Sequence, residues 1–132
     1  MTALRLAALL VAGVIGGAAA DGSLVQRAEA RAAERRNPRQ GSDEARRAGA
    51  RLYARECAAC HGMNREGRSR VPPLNRPAVY GATPGALFWV LRNGSLRRGM
   101  PSFAHLPEAE RWQIITFLQS RFPAVNRPPL AP

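Results

Sequence analysis

The stretch ECAACHG, residues 56–62, holds both cysteines of the chain and one of its two histidines. Two thiols three residues apart, with an imidazole directly after the second, have few chemical uses. They can form a disulfide, hold a metal, act as a redox dithiol, or anchor a group covalently. A Cys57–Cys60 disulfide would close too short a loop to constrain the unfolded chain much. A closed zinc site wants four ligands, and Cys57, Cys60, His61 and His105 are the whole stock of Cys and His. A thioredoxin-like dithiol expects a βαβ setting, and no convincing strand pattern appears in the chain.

C-x-x-C-H is the spacing for covalent attachment of a c-type haem. Two cysteines three apart at a helix end can reach the two vinyl groups on one porphyrin edge. The next residue then turns its imidazole over the iron, and Ala58 and Ala59 are too small to obstruct the ring. A second ligand for the opposite face is supplied by RRGMPSF, which puts Met100 in a loop between Gly99 and Pro101. A lone methionine is ordinarily core filler, but this one is not on an apolar helix face. Met63 lies too close to His61 to reach the far side, and Met1 lies in the N-terminal segment. The site residues are therefore Cys57, Cys60, His61 and Met100, the last two as iron ligands, with no catalytic residue assigned.

Three helices must position them. Ser42 or Asp43 can cap the first, and Ala45, Gly49, Leu52 and Tyr53 fall on one face of it. It leads directly into Cys57. Thr83-Pro84 starts the second, with a capping hydroxyl and proline at the first helical position, and Gly94 fits a C-terminal cap. Pro107 starts the third, with Glu108 and Glu110 where the helix dipole favours carboxylates. Trp112, Ile115 and Leu118, with Ile114 and Phe117, supply its apolar side. Residues 64–82 and 95–105 are loop.

The rest of the chain frames this domain. Residues 1–20 carry one early arginine, Arg5, an uncharged run from Leu6, and Ala18-Ala19-Ala20. The pattern is that of an export signal cut after Ala20, or, if retained, of a membrane anchor. Residues 21–43 form a polar arm or linker, partly helical over Ser23–Arg36 and loosely attached. The domain spans 44–125, and 126–132 is a proline-rich tail. At this size, with aromatics at 6%, a domain usually needs a staple, and a haem supplies one. All 20 basic residues are arginine, against nine acidic ones, for a formal net charge of +11. Export makes nucleic acid an unsuitable partner and favours acidic protein surfaces or anionic lipid headgroups.

Residues 44–122, through GARLYARECAACHG, PPL, LRNG and RRGMPSF to the aromatic-bearing last helix, resemble the class I c-type cytochromes, in particular small monohaem bacterial forms. The resemblance implies an all-α cytochrome c fold, three main helices with loops wrapped around one covalent haem c. It implies that Gly49 and Tyr53 meet Ile114 and Phe117 where the first and last helices cross. It also implies that the carbonyl of Pro72, or of adjacent Pro73, accepts the Nδ1–H of His61. Trp89 and Arg76 could face a haem propionate or simply be a core and a solvated residue; His105 is a surface or propionate-side residue, or an alternative ligand under perturbation. The function implied is an exported, periplasmic one-electron carrier with His/Met-ligated iron and no enzymatic activity of its own. Arg97 and Arg98 are placed to meet acidic redox proteins, and membrane association follows if residues 1–20 are retained. The alternatives are an electron-transfer subunit of a periplasmic dehydrogenase, with residues 21–43 as docking element, and a peroxidase-like or gas-binding haem protein.

Overall fold

The computed structural model describes residues 19–120, with side chains from residue 24 onward. Most of the expected export signal (1–18) and everything beyond 120, including the tail, lies outside the described residues. Six α-helices follow in order: α1 (Ala19–Ala32), α2 (Asp43–Glu56), α3 (Ala58–His61), α4 (Pro77–Tyr80), α5 (Pro84–Asn93) and α6 (Glu108–Leu118), with a 3₁₀ turn at Leu96–Arg98. Among the described residues there is no strand, only isolated bridges pairing Arg68 with Val71 and Ser95 with Met100. The fold is all-α, and the three expected helices are α2, α5 and α6.

Each of the three starts where its chemistry dictates. The Ser42 hydroxyl accepts from the amide of Ala45 at 3.1 Å and caps α2. Thr83 does the same for α5 through the amide of Ala86 at 3.2 Å, with Pro84 next. Pro107 occupies the cap position of α6, followed by Glu108 and Glu110 in the first turn.

The core forms where α2 crosses α6. Gly49 sits at the crossing, and a Cβ there would run into the Gln113 carbonyl and the Cβ of Phe117. The closest approach thus falls on Gln113 and Phe117, with Ile114 completely buried alongside in the same apolar cluster. One helical turn on, the rings of Tyr53 and Phe117 lie 5.3 Å apart, tilted by 51°. On the other side of α6, Trp112 stacks on Phe88 of α5 at 4.2 Å.

The arm differs from expectation. Residues 21–43 are not loosely attached, because α1 packs along α5. Ala28 has no exposed surface, and α5 approaches so closely that a Cβ on Gly85 would strike the Ala32 carbonyl. Asn37 is buried and donates to Thr116 Oγ1 at 2.9 Å. Arg35 pairs with Glu108 at 2.6 Å while its guanidinium lies 4.0 Å from the centre of the Phe88 ring. Few apolar side chains are involved. Polar side chains and close backbone contact do the attaching, which apolar periodicity does not reveal.

Candidate haem site

The motif residues sit at the end of α2. Cys57 is the C-terminal cap of that helix, its amide bonded to the Tyr53 carbonyl at 2.8 Å. Its dihedrals (−120°, −33°) interrupt the helix before the single turn of α3 carries Cys60 and His61. Cys57 is buried, Cys60 is exposed, and both are free thiols. Burial pushes the Cys57 thiol up to about 12, with Glu56 and Cys60 acting in the same direction. A reactive or metal-binding thiolate wants the opposite, an electropositive setting that lowers the pKa.

His61 is oriented by its own loop. Its Nδ1 lies 2.9 Å from the carbonyl oxygen of Pro72. A carbonyl only accepts, so Nδ1 carries the proton and Nε2 keeps the lone pair available to a metal. The resemblance named this bond, and it falls on Pro72 rather than Pro73. Gly62 ends the motif at φ +83°, and a Cβ there would collide with the Glu66 carboxylate. The Tyr53 hydroxyl donates to the Gly62 carbonyl at 2.7 Å, tying the turn back to α2. Burial holds the Tyr53 phenol above its usual range, despite the nearby Arg65.

Arg65 completes this side, and sequence reasoning missed it. It is 1% exposed. Its guanidinium donates to the carbonyls of Phe117, Leu118 and Ser120 at 3.3, 3.1 and 3.2 Å. These are carbonyls at the end of α6, where a helix leaves acceptors unpaired and favours a cation. The Arg65 carbonyl in turn accepts from Leu74 at 2.8 Å, so one residue joins the His61 loop to the last helix.

Met100 lies beyond α5. It is half-buried and packs against the apolar core, whereas Met63 is 55% exposed. Ser95 and Met100 exchange two backbone bonds, 2.9 and 3.2 Å. Gly94, the cap of α5, has φ +65°, and a Cβ there would lie 2.6 Å from the backbone of Pro101. Phe103 donates its amide to the Leu91 carbonyl at 2.8 Å. The last turn of α5 therefore carries the whole methionine loop.

The weaker sequence assignments separate. Trp89 is half-buried and lines a cleft between α1 and α5; Arg76 and His105 are exposed. Arg97 and Arg98 are exposed on the 3₁₀ turn before Met100, with Leu96 at 79% exposure beside them. Residues 57–107 contain seven arginines and a single carboxylate, Glu66.

An all-α domain with a helix-terminal C-x-x-C-H, an imidazole fixed through Nδ1 and a methionine loop packed on the core is a c-type cytochrome domain. The family model described as cytochrome C oxidase, cbb3-type, subunit III matches residues 44–118, and the chain belongs to that family. No curated protein and no solved structure matches the chain. Membership brings a covalently bound haem c with its iron, and haem-based electron transfer as the class of function. The residues present fit the group: two free thiols at the attachment spacing, a lone pair left on Nε2, and a thioether on the apolar core. No helix among the described residues is long and apolar enough to cross a membrane.

Proposed function

We propose that the protein is an exported, periplasmic single-haem electron carrier in which Cys57 and Cys60 form the thioethers and His61 and Met100 ligate the iron. The observation that carries this reading is the 2.9 Å contact of His61 Nδ1 with Pro72, which leaves Nε2 as the metal-binding atom. Bound in this way, the haem supplies one-electron chemistry between ferric and ferrous iron, and a thioether ligand favours the ferrous state relative to bis-His ligation. The chain holds the imidazole tautomer, keeps the thioether against an apolar core and presents basic loops to partners. Acidic redox proteins are the partners that this charge suits.

The family description, an oxidase subunit, favours one second reading, that of a domain working inside an oxidoreductase complex. The arm offers less to such a complex than its sequence suggests, because Val25 and Ala28 already face this domain's own core. Co-purification with a membrane oxidoreductase would favour the subunit; purification as a soluble monohaem protein would favour the carrier.

Ligation is tested by replacing each methionine in the holoprotein. Met100→Ala should abolish the weak far-red band of ferric methionine-ligated haem, lower the potential and let carbon monoxide bind the ferrous form readily. Met63→Ala should do none of these. The reverse pattern would sink the assignment, and an open iron in the unaltered protein would instead favour the peroxidase-like or gas-binding alternative.

A further inference from the structure

We infer that the N-terminal arm positions the methionine ligand, with Glu29 as the positioning residue; the inference rests on the Met100 assignment above. The arm lies outside the matched residues 44–118, so the family does not account for it. Both carboxylate oxygens of Glu29 are engaged at the start of α5. One accepts from the Thr83 amide and the other from the Thr83 hydroxyl, each at 2.7 Å. Thr83 is the residue whose hydroxyl caps α5, so a carboxylate from a segment 54 residues away sits at the positive end of that helix. Three residues beyond Glu29, the Ala32 carbonyl lies against Gly85. Farther on, Arg35 covers the Phe88 ring. A cleft of about 510 Å³ opens along this contact, lined by residues 29–35 with Phe88, Trp89 and Arg92.

The other end of α5 holds the ligand loop, through the Ser95–Met100 bridge, the Phe103–Leu91 bond and the contact of Gly94 with Pro101. A ten-residue helix is a stiff rod of about 15 Å. Fixing its first turn fixes the direction in which its last turn delivers Met100. Releasing the first turn lets the helix tilt, and the methionine loop moves with it. The arm thus sets the fraction of molecules in which the thioether is withdrawn from the iron.

That fraction can be measured with imidazole, which occupies iron only when Met100 has left. Its apparent affinity scales with the open population. In ferric holoprotein, Glu29→Ala should tighten apparent imidazole binding by about threefold to tenfold, within the range for mutations along a coupling element. Glu29→Gln, which keeps one carbonyl acceptor, should fall between. Arg35→Gln, which frees the arm at its far end, should shift binding in the same direction by less. Ser42→Ala removes a cap of similar strength from α2, which does not carry Met100, and should lower stability without changing imidazole affinity. In a Met100→Ala background, Glu29→Ala should have no effect on imidazole.

Unchanged imidazole affinity in both Glu29 variants, with a far-red band that Met100→Ala destroys, would overturn the positioning role and leave the ligand assignment standing. Equal shifts from Ser42→Ala and Glu29→Ala, or a shift that persists without Met100, would also overturn it, as general loosening. A far-red band that survives Met100→Ala would remove the ligand assignment and this inference together.

Discussion

The two halves of the site are held in different ways. On the His61 side, all but one of the restraints lie within the family-matched domain, the exception being the Arg65 bond to Ser120. Tyr53 reaches Gly62 nine residues away and Pro72 receives His61 eleven residues away. Arg65 adds one long tie to α6. On the Met100 side, the loop is bonded to the end of α5 and packed on the apolar core through Met100, Phe103 and Leu106, and α5 is braced by an arm from outside that domain. The histidine is fixed by a largely buried polar network, in which the Nε of Arg65 has no hydrogen-bond partner. The methionine is fixed by where a helix points. Damage to the first half should therefore appear as lost stability, and damage to the second as lost ligation.

Arg65→Met gives the largest expected effect. It preserves bulk and removes the donor to three carbonyls at the end of α6. Losing a buried, charge-assisted donor shared by three carbonyls costs about 3 kcal/mol, although the Phe117 carbonyl keeps its bonds from Ser120. Denaturant unfolding of the holoprotein should show this loss, while the far-red band of the folded fraction stays. Loss of that band without loss of stability would dissolve the distinction between the halves.

Gly94→Ala is the reciprocal test. It places a side chain at φ +65° against Pro101 and the Met100 carbonyl. Backbone at φ +65°, ψ −164° is essentially confined to glycine and costs another residue about 1–3 kcal/mol, and the displaced atoms belong to the ligand loop. Methionine ligation should weaken more than global stability, read as a diminished far-red band and faster carbon monoxide binding to the ferrous protein. A variant that unfolds more easily but keeps full ligation would show that Met100 does not depend on the end of α5.

These contrasts follow what the sequence makes visible. The C-x-x-C-H motif, the Met100 loop, the caps at Ser42 and Thr83, and the face of α2 through Gly49 and Tyr53 are local patterns, and each is found where its spacing implies. The Pro72 acceptor was accessible only through resemblance. Arg65 was not legible, because an arginine between Asn64 and Glu66 in a loop looks solvated until α6 ends beside it. The packing of α1 was equally hidden. The attachments of the arm join Glu29 of α1 to Thr83, and beyond α1 Arg35 to Glu108 and Asn37 to Thr116, polar pairs 54 to 79 residues apart. No periodicity within the arm encodes them.

A smaller effect on the histidine side depends on pH. Tyr53→Phe deletes the bond to Gly62 and should cost about 1 kcal/mol near neutrality. Burial raises the Tyr53 pKa in the folded protein. Above the ordinary phenol value of about 10 the unfolded chain loses a proton that the folded chain retains. The unfolded state then binds fewer protons, so stability falls as pH rises. Stability curves of the wild type and Tyr53→Phe should converge above that pH. Parallel curves would mean that the phenol is not held neutral by the fold.

The smallest expected effect on the folded protein is at the surface beside Met100. Arg97 and Arg98 are exposed on a turn whose neighbour Leu96 is also exposed. A guanidinium suits carboxylates through paired donors, and exposed charges act chiefly on encounter rate. Replacing both with glutamine should leave stability, ligation and spectrum unchanged. At low ionic strength it should slow electron transfer with an acidic redox partner, and it should flatten the fall in rate as salt shortens the Debye length below about 10 Å. If the double variant keeps the full salt dependence, docking lies elsewhere, and the arginines of the loop after His61, Arg68 and Arg70, are next to test. If the rate changes together with the far-red band, the turn supports the methionine loop rather than a partner, and the Met100 half of the site extends outward to Arg97.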